Sequence, residues 1–369
     1  MPCVETSIAD QEPVAGRIGS EAFYEIIDER QRRTRERIAL ARCGDRAMNG
    51  AADRAPPSWL PDGAMGAVCF SVDDLHPTAG ERGDAVGSAA RRAIDHVEWL
   101  LARHPQLRVT LFTTADWRSR AAAPARTWRQ RLPIARHFCY ATSVLPRGTL
   151  RLDRHVEFAA WLRGLHGVDF AIHGVHHVRR GPAYLQEFVG RSRKQCRELI
   201  VESKRIMEAA GLPVTAGLAP PAWTAPAELL QAMADLDMLF IASARDLDTP
   251  IAPGAVTRGS GLRDVSLIAP QFLPFGRLVH IPTNFQATSS VDRAVAIVAS
   301  GGLLSVKAHL LKRFGSYEAL DGLDRGYVEY LDRVFMRLED DYGDGIWWTK
   351  MADIVAHMRN GAISAEAAA

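Results

Sequence analysis

Ala171-Ile172-His173-Gly174-Val175-His176-His177 closes an apolar run that starts at Val168, and Phe70-Ser71-Val72-Asp73-Asp74 closes another about a hundred residues upstream. Short apolar, β-branched runs predict buried strands, so each stretch delivers its polar residues at a strand end. One end carries two adjacent carboxylates and the other carries imidazoles four residues apart. A carboxylate with two imidazoles is a ligand set that catalytic zinc uses, with an open position for water or substrate. A spare carboxylate beside that set is what an activated water needs as proton acceptor.

Outward from these ends, apolar runs alternate with helical segments from Met65 onward. Strands are predicted over 66–72, 107–113, 168–172, 214–219, 238–242, 277–281 and 302–307. Helices are predicted over 87–104, 153–165, 183–210, 225–236, 290–300 and 323–339. Such alternation argues a parallel sheet with helices outside. Seven strands over roughly 300 residues predict a closed or nearly closed α/β barrel, with a doubly wound open sheet as the structural alternative. In either fold ligands bind at the carboxyl ends of the strands. The acid pair, the histidine cluster and His309 fall there.

Two connections are long. One covers about 114–150 and contains Trp117, Trp128, Phe138 and Tyr140; the other covers about 244–276. Connections of this length in a compact domain are uncommon and are often lids or disordered segments. Folded over the metal side, they would build a bounded pocket, with Trp117 and Tyr140 as substrate-binding candidates. Residues 1–60 read differently, as a charged helix (Glu21 to Arg42) ended by Ala55-Pro56-Pro57, an N-terminal helical arm suited to packing outside the barrel or on a second copy. The barrel is assigned to 61–360, and the alanine-rich 361–369 to a disordered tail.

Composition narrows the classes. The chain has 369 residues, with Lys+Arg 45 against Asp+Glu 43, so its charge gives no support for nucleic-acid binding. No apolar run approaches the ~18 residues of a membrane span. The start, MPCVETSIADQEP, has neither the basic nor the apolar region of a signal peptide. The five cysteines are widely spaced and form no CxxC, which predicts a reduced, cytoplasmic protein without a disulfide framework. GxSxG, P-loop, HExxH and GxGxxG signatures are missing, which leaves serine-hydrolase, NTPase and nicotinamide readings without support.

Within the histidine cluster, His173 and His177 are the better ligand pair, because an i, i+4 spacing returns both rings to one side of a helical turn; His176 should point away. Successive residues diverge, so one of Asp73 and Asp74 can bind metal while the other faces the water. Gly217-Leu218-Ala219-Pro220-Pro221-Ala222-Trp223 ends another strand. Its prolines stiffen the turn, which suits the Ala222 N–H to an oxyanion hole and Trp223 to a pocket wall. Leu303 to His309 ends a late strand in a histidine placed to protonate a leaving group.

Together and in this order, these motifs resemble the polysaccharide deacetylase (NodB-homology, carbohydrate esterase) family. Phe70 to Asp74 is similar to its acid-pair motif, His173 to His177 to its His-x-x-x-His, and Leu304 to His309 to its last strand. Ile346 to Ile354 is similar to its closing strand and helix. The resemblance covers roughly 64–357 and implies a distorted (β/α)7 barrel and one divalent metal ion, zinc above all. It implies that Asp74, His173 and His177 bind the metal, that Asp73 is the general base and His309 the general acid, and that the Ala222 N–H lies in the oxyanion hole. The third motif departs: the family's arginine, which orients the base carboxylate, is replaced by Ala219, and its aromatic by Ala222 with Trp223 one place on. This Ala-Pro-Pro-Ala-Trp form resembles a divergent branch, with Arg245 as the candidate to supply the missing charge.

The expectation is a metal-dependent deacetylase cleaving an N-acetyl or other N-acyl amide on an amino sugar or sugar-bearing small molecule, such as an intermediate of secondary metabolism. The partner is that small acylated substrate, with no nucleic acid, no membrane and a homo-oligomer through the arm. The alternatives are a metal-dependent hydrolase of another bond (a formamide, an ester, a cyclic imide) and a non-catalytic sugar-binding protein of the same fold.

Overall fold

The computed structural model describes residues 59–78, 84–120, 132–181, 184–314 and 317–368. The predicted N-terminal arm lies almost wholly outside the described residues. All seven predicted strands occur: β1 (Gly66–Leu75), β2 (Val109–Thr113), β3 (Val168–Ile172), β4 (Val214–Leu218), β5 (Phe240–Arg245), β6 (Val279–Thr283) and β7 (Leu303–His309). They run parallel in the order β7-β1-β2-β3-β4-β5-β6. An eighth strand, β8 (Ile346–Trp348), pairs with Gly66–Val68, and Gln271–Phe272 adds an antiparallel edge to β6.

The barrel is not closed. Between its end strands β6 and β7 there is no ladder, and one parallel bridge, Phe285 to Val306, approaches the seam, with Lys307 N donating to Phe285 O at 2.9 Å. The strands are nearly continuous apolar runs because both faces are covered. Along β1, Val68, Phe70 and Val72 face the helices, while Ala67 and Cys69 face inward with Phe112, Ala171, Phe240, Val279 and Leu303.

Eight helices are assigned here: α1 (Ser88–Arg103), α2 (Pro133–Ser143), α3 (Val156–Arg163), α4 (Arg193–Ala209), α5 (Ala227–Asp235), α6 (Val291–Ala299), α7 (Arg325–Tyr342) and α8 (Met351–Ala368). Three departures from the sequence expectation have local causes. Helix α4 begins at Arg193 rather than 183, because Gly190 takes φ 69° and Ser192 forms a capping box with Gln195. The 114–150 connection contains α2, which starts with Pro133 in its first turn. Positions 361–368, expected as a disordered tail, continue α8, in keeping with the helix preference of alanine.

The 244–276 connection is tied down. The Asp246 carboxylate accepts from the backbone N–H groups of Asp248, Thr249 and Arg258. Arg293, 2% exposed, donates to the carbonyls of Asn284, Thr249 and Asp246. A buried guanidinium satisfied by three carbonyls fixes that segment beside β6 and α6. Among the described residues no helix is long and apolar enough to cross a membrane.

Candidate metal centre

The carboxyl ends of β1 and β3 bring Asp74, His173 and His177 together, with one donor atom from each lying within 4.8 Å of the others. Asp74 Oδ1 is 3.1 Å from His173 Nε2 and 3.3 Å from His177 Nε2. His173 Nδ1 donates to the Ala219 carbonyl at 2.8 Å. A carbonyl only accepts, so that nitrogen carries the proton and Nε2 turns its lone pair toward Asp74. Burial holds His177 down at about 4, so its ring is neutral near pH 7. Burial opposes the charge on Asp74, but His177 and His173 hold its carboxyl far below the ordinary range. Asp74 Oδ1 and His177 Nδ1 are buried without a hydrogen-bond partner. One oxygen and two nitrogen donors converging in this way fit a divalent cation.

Glu187 sets the histidine turn. Its carboxylate, fully buried, accepts from the N–H groups of Val175 (3.0 Å), His176 (2.9 Å) and His177 (3.3 Å). Burial pushes Glu187 up to about 7, against the pull of those N–H groups. Gly174 takes φ 80°, and a Cβ there would lie 2.2 Å from Glu187 Oε2, so only glycine lets the carboxylate reach the turn. Sequence reading missed Glu187 because it placed 183–210 in one helix.

Asp73, 1% exposed, sits beside the cluster. Its Oδ2 lies 2.6 Å from Lys307 Nζ and 4.0 Å from His173 Nε2. Lys307 comes from β7 and is itself fully buried. The charge expected from Arg245 therefore comes from a different strand. Arg245 instead donates to Gln286 Oε1 and lies 4.8 Å from the Trp223 ring centroid. A lysine inside a strand reads as a solvated position. The signal for its burial was parity, since Lys307 and His309 share a strand face.

His309 is paired with Asp73 in the β1–β7 register. Its Nδ1 lies 2.9 Å from Asp321 Oδ2. Burial works against the charged ring, but Asp321, with Asp74 and Asp73, pushes His309 up to about 9. Trp223 meets His309 edge-on at 5.6 Å, and Pro221 of the same turn packs near Gly174. Ala222 lies between Pro221 and Trp223 in the chain, in left-handed backbone at φ 55°. Trp117 stacks on His76 at 4.1 Å and lies 4.8 Å from His177. Tyr140 is elsewhere, edge-on to Tyr184 and beneath Arg180.

Of the six non-glycine residues with positive φ among the described residues, four are Asp74 (66°), His177 (54°), Ala222 (55°) and Trp223 (55°). Left-handed backbone at non-glycine residues is strained and collects where surrounding structure imposes it, typically at functional sites.

No family model matches the chain, and no curated protein matches it in sequence. Solved structures do. A protein from Mycobacterium smegmatis named as a polysaccharide deacetylase is similar at 15% identity and a TM-score of 0.50, covering 84% of this chain and 96% of that one. An allantoinase is similar at 14% identity and a TM-score of 0.48, with the same coverage. A probable polysaccharide deacetylase from Pseudomonas aeruginosa is similar at 12% identity and 0.48, covering 84% and 96%. The parallel strand order and the span of the first of these likenesses give the chain the NodB-like (β/α) fold of the polysaccharide deacetylases.

Proposed function

We propose that the protein is a metal-dependent hydrolase that removes an N-acyl group, acetyl above all, from an amino sugar or a sugar-bearing small molecule. The observation that carries the reading is the flanking of one ligand cluster by a base and an acid on adjacent strands. Asp73 with its buried lysine and His309 with Asp321 are register neighbours on β1 and β7, next to the Asp74 that the cluster contains.

A divalent ion held by Asp74, His173 and His177, zinc by its donor set, would lower the pKa of a water and polarise the scissile carbonyl. Asp73 takes the proton of the attacking water, and Lys307 holds that carboxylate in position. The Ala222 N–H, on the rigid turn after Pro220-Pro221, donates to the developing oxyanion. His309, held protonated by Asp321, delivers its proton to the departing amine.

A bounded site fits a small substrate better than a polymer. Trp223 forms one wall, and the fixed 244–276 segment stands against it, since a Cβ on Gly261 would lie 2.6 Å from the Trp223 carbonyl oxygen. The test combines metal analysis of the purified protein with acetate release from acylated amino sugars and from chitin-type oligomers. About one tightly held divalent ion per chain and faster release from the small molecules are expected. Formate as product moves the reading to a deformylase. A metal-loaded protein that releases nothing is a binding protein. Faster release from long oligomers overturns the bounded-pocket reading.

A further inference from the structure

Behind the histidine turn lies a cavity of about 350 Å³ lined by Arg118, Arg147, Arg179, Arg180 and Arg191, with Tyr140 and His176 among its other walls. It is one residue removed from the metal centre. His176 faces it while His177 faces Asp74, and Arg118 faces it while Trp117 packs on His177.

Three of the arginines are fixed by backbone carbonyls rather than by carboxylates. Arg118 Nε donates to the Leu145 carbonyl at 2.8 Å, Arg191 Nε to that of Glu187 at 2.8 Å, and Arg179 to those of Arg180 and Val189. A carbonyl orients a guanidinium but leaves its charge and most of its five N–H donors in place. Among the described residues none of the five is ion-paired with a carboxylate. The acids nearby are otherwise engaged: Asp116 accepts from Gly148 N, and Glu187 accepts from the histidine turn. One further carboxylate, Glu202 of α4, acts on His176. Between Asp116 and Asp153 there are eight arginines and no acid, and between Val178 and Arg197 the one acid is Glu187. Gly190 leaves room for this arrangement, since a Cβ there would lie 3.3 Å from the Arg179 guanidinium.

Five guanidiniums without a direct ion pair, against three carboxylates (Asp116, Glu187 and Glu202), are an excess of positive charge around a small cavity that an anion resolves. We infer that this cavity is a binding site for the phosphate or diphosphate group of a small molecule. Planar guanidinium forks match phosphate oxygens bidentately. The volume suits a diphosphate or a sugar phosphate. A nucleic-acid surface would instead spread its charge along a groove, and the whole chain is close to neutral, at +2. The inference is independent of the deacetylase reading, because binding here needs neither the metal nor the reaction.

The experiment is calorimetric titration of the full-length, metal-loaded protein with inorganic phosphate, pyrophosphate, ADP and, as control, sulfate. Saturable binding of pyrophosphate or ADP is expected, tighter than that of sulfate. The exposed pair Arg147→Gln/Arg180→Gln is expected to weaken it about tenfold or more, as the loss of charge-assisted bonds requires. Asp74→Asn should leave it unchanged. Stronger binding of ADP than of pyrophosphate would assign the site to an organic phosphate, and the reverse to the free anion; either supports it. Absence of saturable binding overturns the inference. So does binding that survives the double substitution, or binding that Asp74→Asn abolishes, which would place the phosphate on the metal. An oligonucleotide bound more tightly than any of these small anions would also overturn it.

Discussion

Lys307 Nζ lies 2.6 Å from Asp73 Oδ2, and both side chains are buried, at 0% and 2% exposure. A buried ion pair gains strength from low dielectric, but either partner alone is an uncompensated buried charge. Lys307→Met should therefore lower stability by about 3–5 kcal/mol, the usual result of breaking a buried pair from one side. The double substitution Lys307→Met/Asp73→Asn should recover much of that loss while remaining inactive. Chemical denaturation of the three proteins checks both statements; a double substitution as unstable as the single one would show that Lys307 has another essential partner.

Asp73→Asn alone should keep the bound metal and lower turnover roughly 10²–10⁴-fold, the range for loss of a general base. Asp74→Asn and His173→Ala should instead lose metal. Metal content measured beside acetate release separates the two acids, and metal loss in Asp73→Asn would mean that their roles are exchanged.

The pH profile is expected to depend on Asp321. His309 is raised from 6.5 to about 9, so the stabilising contribution of its charged ring is complete below about 6.5 and is lost as pH rises through about 9. The same deprotonation removes the acid that protonates the leaving amine. Asp321→Asn should move the alkaline fall of kcat to lower pH by about 1–2 units, the effect of removing one close opposite charge. An unmoved alkaline limb would take His309 out of the rate-determining proton transfer.

Glu187→Ala should leave three N–H groups of the histidine turn without their acceptor. Metal affinity should fall about 10–100-fold, as when a group that orients ligands is lost from a metal site. Competition with a chromogenic chelator measures this directly. Affinity equal to the parent's would mean that strand β3 alone holds the two rings in place.

The strands and the ligand cluster were legible because both rest on local pattern. Val68, Phe70 and Val72 announce a buried strand, and the acids and histidines that follow mark its carboxyl end. The partners of those residues come from elsewhere in the chain. Lys307 belongs to a strand whose apolar neighbours make a lysine look misplaced, and only its register against β1 brings it to Asp73. Glu187 sits in a stretch with helical spacing, where Gly190 and the Ser192 cap decide that no helix forms. Tyr140 read as part of a lid, yet it follows α2 to the arginine cavity rather than to the metal side.

His173 leans on the carbonyl of Ala219, an atom that every amino acid carries. That bond asks nothing of the side chain at 219, and what limits the residue there is packing, since the position is fully buried among Phe112, Ala171 and Phe240. The carboxylate of Asp73 does need a charged neighbour, and here a different strand provides it. The two duties of one turn are thus separable: the backbone of residue 219 aims the histidine, and β7 supplies the charge beside Asp73.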